Sequence, residues 1–233
     1  MNIFSDIVNS LPGAVAQGLI WGIMAVGVFI TYKILDIADL TVDGSICTGM
    51  AVCAVLMTNG VNVWVAMLCS LIAGMLTGLV TGIFHTFMGI PAILAGILTQ
   101  LILWSVNLKI LGGANLALPA RTYDVLTLLR RESSIFILIA FVVVLVGLLY
   151  WFFGTEFGSA VRATGSNIKM SRAQGINTDF NKIFGLVLSN GIVALSGSLL
   201  AQYSGSADIN SGRGAIVIGL AAVIIGEAII SKI

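Results

Sequence analysis

The chain has 233 residues, of which 58% are hydrophobic and 9% charged, with 27 glycines and a mean hydropathy of +1.09. This composition excludes an ordinary soluble domain and describes a protein whose main solvent is lipid. The net charge of +1 gives no electrostatic basis for binding nucleic acid.

A bilayer core takes about 20 mostly apolar residues as a helix, and a charge inside it is costly. The start, MNIFSDIVNSLPGAVAQG, lacks a basic leader region and a small-residue cleavage site, so the first apolar run, 12–32, is expected to remain as a span. Next comes DLTVDGS at 39–45, where a Thr or Asp cap followed by Gly44 and Ser45 predicts a helix N-terminus close to the membrane. Broken helices of this kind aim backbone N–H groups and a positive dipole end at anions such as an amino acid carboxylate, which makes Asp43, Gly44 and Ser45 candidates for the substrate path. The long charge-free stretch after Asp43 is divided at Asn59-Gly60 and at 85–91, giving spans 42–58, 62–84 and 91–109. Cys47, Cys53 and Cys69 lie within spans with no CxxC pairing and read as small apolar fillers. His85, the single histidine, reads as an interfacial polar residue. On the fourth span Gln100, Trp104 and Asn107 stand at i, i+4 and i+7, so they share a face that could line a path.

Residues 110–132, with Pro119 and a polar middle, form a long connection to the span 133–153. The segment EFGSAVRATGSNIKMSRAQGI at 156–176 then places Arg162, Lys169 and Arg172 in an otherwise greasy chain. Phe157, Ala160, Val161 and Thr164 share a helical face. The pattern breaks at Gly165-Ser166, Asn167 suits the N-cap of a second short helix over 168–174, and Gly175 suits its end. Two short amphipathic helices with an elbow at 165–166 are therefore expected. The sixth span, 183–203, carries Asn190, Ser196, Ser198 and Gln202 with Tyr203 at its end; such residues either line a path or bond helices together. A seventh Gly-rich run, 212–230, either crosses fully or re-enters. Asp43 and Asp208 each precede a Gly/Ser-rich apolar helix, a faint sign of an internal repeat. The fold expected is an all-α polytopic membrane protein, one domain over 1–233, with about six to eight transmembrane or re-entrant helices.

Several ordered strings resemble the permease subunits of bacterial ABC importers, in the branched-chain amino acid and ribose permease family. They are GSAVRATGSN at 158–167, RAQGIN at 172–177, GLVLSNGIVALSGSLLAQY at 185–203 and IGLAAVIIGE at 218–227. LTVDGS at 40–45, LAGILT at 94–99 and SVNLKILG at 105–112 resemble the subgroup linked to aromatic amino acid or uncharacterised substrates. The resemblance implies that 154–182 is a cytoplasmic coupling segment whose contact surface is Arg162, Ala163, Thr164, Gly165, Ser166, Asn167, Lys169, Arg172 and Gln174. It further implies a separate ABC ATPase subunit carrying ATP and Mg, an extracytoplasmic solute-binding protein, a second permease copy and a bacterial inner-membrane location. Related permeases continue with further spans, which leaves open a truncated C-terminus. The resemblance also sets the N-terminus outside and makes 110–132 the external segment that meets the binding protein. Charge alone barely decides orientation, with Lys33, Arg162, Lys169, Arg172, Lys182 and Lys232 on one side and Lys109, Arg121, Arg130, Arg131 and Arg213 on the other.

No GxxxxGK[ST] phosphate cradle is present, so the chain has no P-loop for ATP, and no zinc pattern or catalytic cluster stands out. No catalytic residue, metal or cofactor is assigned to this chain. An ATP-independent secondary transporter or channel is the alternative; it would need carboxylates buried in mid-span, whereas every acid maps near a predicted span end. A scaffold subunit is the third reading.

Overall fold

The computed structural model describes residues 3–118 and 131–230. Residues 119–130, which hold Pro119, Arg121 and Arg130 of the proposed external segment, lie outside the described residues, as does Lys232. Helix α1 (Ile3–Phe29) runs into a π-helical turn, Ile30–Ile34. After a non-helical stretch come α2 (Val42–Thr58), α3 (Val63–Thr86) and α4 (Ala92–Leu111). A short strand, β1 (Asn115–Ala117), follows. Helix α5 (Arg131–Gly154) leads to the short helices α6 (Glu156–Ser166) and α7 (Ile168–Ala173), then to α8 (Thr178–Ser204), β2 (Ser206–Asp208) and α9 (Ala215–Ile230). Among the described residues five helices are long and apolar enough to cross a bilayer, and α2 and α9 are apolar but shorter. The protein is an all-α polytopic membrane protein.

Helix α8 is the axis of the bundle. It is buried over most of its length, with α1, α2 and α3 packed around it. Association in lipid depends on close approach of small residues, since apolar side chains gain nothing by leaving lipid for protein. Here Gly49 of α2 lies so near α8 that a Cβ would run into the Ala194 carbonyl, and Gly74 and Gly78 of α3 meet the carbonyls of Asn190 and Leu186 in the same way. The outer faces carry large apolar side chains, Leu68 and Ile72 on α3, Leu101 and Ile102 on α4, Val143 and Leu148 on α5, as hydrocarbon requires. Gly205, with φ of +69°, ends α8 and turns the chain into β2, which pairs antiparallel with β1 in the register Asn115↔Asp208.

Helix α2 does not start at the edge of the bundle. Ser45 in its first turn bonds to Asn190, near the midpoint of α8, while Cys53 further on lies beside Gln202 toward the end of α8. The chain reaches that depth through residues 35–41, where buried Leu35, Ile37 and Asp39 alternate with exposed Asp36 and Ala38 as in a strand. Helix α9 mirrors this arrangement. Gly212, ahead of it, is tight against the Asp43 carbonyl, and α9 then runs the other way until Glu227 pairs with Lys33 of the π-helical turn. Two short helices thus start at one depth and run in opposite directions, each after a non-helical lead-in. The Asp43 and Asp208 pattern pointed to these two lead-ins.

Candidate functional site

Between α2, α4 and the lead-in to α9 lies a cavity of about 280 Å³. Its α4 wall is Gln100, Leu101, Trp104 and Asn107, so the three residues expected on one face do line one space. Asn107 is buried; its Nδ2 donates to the Gly44 carbonyl at 3.4 Å, and its Oδ1 has no partner among the described residues. Gly44 has no side chain because Leu103 of α4 fills that position. From the α9 side come Ile209 and Arg213, and from α2 come Asp43, Gly44 and Cys47. Arg213 is exposed and forms no ion pair among the described residues.

The Asp43 side chain, on the first turn of α2, reaches across to the start of α9. Its Oδ2 accepts from Gly214 N at 3.0 Å and its Oδ1 from Ile216 N at 2.9 Å, so its carboxylate caps the first turn of α9 and meets that helix's positive dipole end. An internal carboxylate thus occupies the N-terminal end of α9. Cys47 adds a second tie, with Sγ donating to the Ile209 carbonyl and accepting from Gly212 N, both at 3.2 Å.

Ser45 and Asn190 belong to a separate, deeper network. Ser45 Oγ donates to Asn190 Oδ1 at 2.6 Å and lies 2.7 Å from Thr77 Oγ1; Asn190 Nδ2 donates to Asp39 Oδ2 at 2.7 Å, and Asp39 Oδ1 accepts from Thr41 N at 2.9 Å. Thr41, Thr81 and Thr99 continue it through hydroxyl contacts of 2.7 and 3.0 Å to α3 and α4. Asp39 is 2% exposed and lies at the depth of the α8 midpoint, which corrects the expectation that every acid falls near a span end. It sits on a non-helical lead-in, so apolar span counting could not place it. Gln202 and Tyr203 do not reach the cavity: Gln202 Nε2 is 3.7 Å from Cys53 Sγ, and Tyr203 donates to the Gly13 carbonyl at 3.1 Å. Sequence reasoning missed Asp39, Cys47, Thr77, Thr81, Thr99 and Arg213. Besides Ser45 and Asn190, already singled out as polar residues, the Thr77/Thr81 spacing of i, i+4 was a readable signal for the network.

The basic segment forms two helices, with one correction. Gly165 and Ser166 lie inside α6, and the bend is at Asn167, whose backbone is extended and whose side chain accepts from Met170 N at 3.0 Å to cap α7. Gly165 is required for packing: a Cβ there would run into the carbonyl of Ile34 in the π-helical turn. Val161 and Thr164 are buried, and Thr164 Oγ1 accepts from Asn181 Nδ2 of α8 at 2.9 Å. Phe157 packs edge-on against Phe152, Phe180 and Phe184. Arg172 bridges forward to Thr178 Oγ1 at 2.8 Å and Asp179 Oδ1 at 3.0 Å, and Gly175, at φ +80°, turns the chain into α8. Ser166, Asn167, Ile168, Lys169, Met170, Arg172, Ala173 and Gln174 are exposed, and Arg162, also exposed, borders a groove with Phe29 and Tyr150.

Residues 11–233 match the family described as branched-chain amino acid transport system, permease component. The tyrosine transport system permease protein of Clostridioides difficile (strain R20291) is 41% identical over 225 residues, covering 96% of this chain and 75% of that protein. An uncharacterised protein of Rickettsia prowazekii (strain Madrid E) is 35% identical over 224 residues, 95% of this chain and 78% of its own length. The autoinducer 2 import system permease protein LsrC of Salmonella typhimurium is 30% identical over 195 residues, 79% of this chain and 54% of that protein. No solved structure matches at a significant level. With the family match spanning nearly the whole chain and relatives that are transport permeases, this chain belongs to the branched-chain amino acid permease family of ABC importers.

Proposed function

We propose that this chain is the membrane subunit of a bacterial plasma-membrane importer for an amino acid, working as a pair of permease copies with a separate ATPase and an extracytoplasmic solute-binding protein. Tyrosine is the first solute to test, given the 41% identical relative. The α6–α7 end is the cytoplasmic face, and ATP and Mg belong to the partner ATPase that docks there. The observation that carries this reading is the set of contacts that hold the pair: α6 packs on α5, α8 and the π-helical turn of α1, while α7 leaves Ile168, Lys169 and Met170 uncovered. A docked partner that shifts α7 therefore moves three helices as a body, which a loose loop could not do.

The test is co-purification of the ATPase with the double variant Lys169→Glu, Met170→Asp. Both positions are exposed, so the bundle is expected to fold and elute as the wild type does. Recovery of the ATPase should fall by about tenfold or more, as for loss of a central contact cluster. Undiminished recovery would contradict docking on α7.

A further inference from the structure

Two groups facing the cavity between α2, α4 and the α9 lead-in lack a direct protein counterpart among the described residues, although Asp43 and Arg213 leave its lining without net charge. Arg213 is a cation with no ion-pair partner among the described residues. In the same lining Asn107 Oδ1 is a buried acceptor with no donor among the described residues, Gln100 adds a second amide, and the Asp43 carboxylate is taken up by the amides of α9. A buried acceptor left unmet costs free energy that a donor from a ligand would recover. An α-amino acid brings both missing groups in one head, an anion for the cation and N–H donors for the acceptor. A sugar or nucleoside brings hydroxyls but no charge for Arg213. The volume of about 280 Å³ is at the small end for ligand sites and suits a single amino acid. Trp104, 47% exposed, supplies an aromatic wall on which a ring can pack.

We propose that this cavity is a recognition site for the zwitterionic head and ring of an aromatic amino acid: Arg213 takes the carboxylate, Asn107 Oδ1 and Gln100 the ammonium, and Trp104 the ring. The inference rests on the importer reading above and names the substrate contacts within it.

The test is equilibrium binding of labelled tyrosine to the purified permease–ATPase complex without the binding protein, with competition by tyramine, which lacks the carboxylate, and by 3-(4-hydroxyphenyl)propionate, which lacks the ammonium. Wild type should favour tyrosine over either analogue by about tenfold or more, the order expected for losing a hydrogen bond to a charged group. Arg213→Gln should erase the preference over tyramine, and Asn107→Leu the preference over the propionate. Trp104→Ala should weaken all three ligands, with Trp104→Phe restoring much of the loss. Recovery of each variant with its ATPase reports folding. Absence of tyrosine binding by wild type, equal binding of tyrosine and its analogues, or unchanged selectivity in both Arg213→Gln and Asn107→Leu overturns the site. ATP-dependent uptake by the wild-type complex is scored separately, so failure of the importer reading shows there and not in the selectivity.

Discussion

Asp39 shows how much a single buried side chain can organise. Its two oxygens accept from Thr41 N and Asn190 Nδ2, holding the lead-in to α2 against the middle of α8. Asp39→Ala would strand Thr41 N and one N–H of Asn190 Nδ2, whose other N–H keeps the Leu186 carbonyl, at about 1–3 kcal/mol for each buried group left unmet. Asp39→Asn keeps an acceptor for one of them, so the thermal midpoint of the detergent-solubilised protein, followed by tryptophan fluorescence, should fall in the order Asp39→Ala, then Asp39→Asn, then wild type. Equal midpoints for the three would show that the network contributes nothing to stability. At this scale the sequence was only partly legible. Gln100, Trp104 and Asn107 share a face because helical spacing alone dictates it, whereas Arg213 reaches the same cavity from more than a hundred residues away through a turn with no periodicity. Ser45 and Asn190 were visible as polar residues in apolar spans, but their pairing with each other and not with the cavity depends on three-dimensional register.

Element boundaries were largely readable, because charge and turn formers mark where a helix leaves lipid. The run 42–58 matches α2, and 62–84, 91–109 and 133–153 fall within a few residues of α3, α4 and α5. Helix α8 begins five residues before the apolar run, since Asn177 caps it at Phe180 N and its first turns tolerate Asp179 and Lys182 outside the hydrocarbon. The misplaced elbow has a physical reason as well. Gly165 looked like a hinge, but its lack of a side chain serves contact with Ile34, and Asn167 makes the bend by bonding back to the backbone of α7. The tight glycines yield a contrast. Gly49→Ala drives a methyl into the Ala194 carbonyl and should cost about 1–3 kcal/mol, as overpacking does. Gly18→Ala meets nothing within 4 Å and should be neutral or slightly stabilising. Thermal midpoints in one detergent compare the two, and equal shifts would refute the close packing of α2 on α8. Asp43→Ala removes the cap of α9 and should lower the midpoint by an amount matching about 0.5–2 kcal/mol.

Taken whole, the molecule is a bundle around α8 with two half-length helices that start at one depth and run in opposite directions, and with a short helix pair fixed to one end. A cavity bordered by α2, α4 and the lead-in to α9 is at the junction that any tilt of α2 against α9 must alter, since Asp43 ties the two directly. A chain of contacts joins the α6–α7 end to α9, through the π-helical turn of α1 that Gly165 touches and through the Lys33–Glu227 pair at the end of α9. Composition sufficed to announce a membrane protein; these contacts could not be read from it, because they join segments distant in sequence. The measurement that tests the account most directly is uptake of labelled tyrosine into proteoliposomes holding the permease, its ATPase and its binding protein, with and without ATP on the ATPase side. The account predicts accumulation that requires ATP and is lost in the α7 double variant. Uptake that proceeds without ATP and collapses when a proton gradient is dissipated would contradict it, and would make the buried Asp39 the first residue to examine as a coupling site.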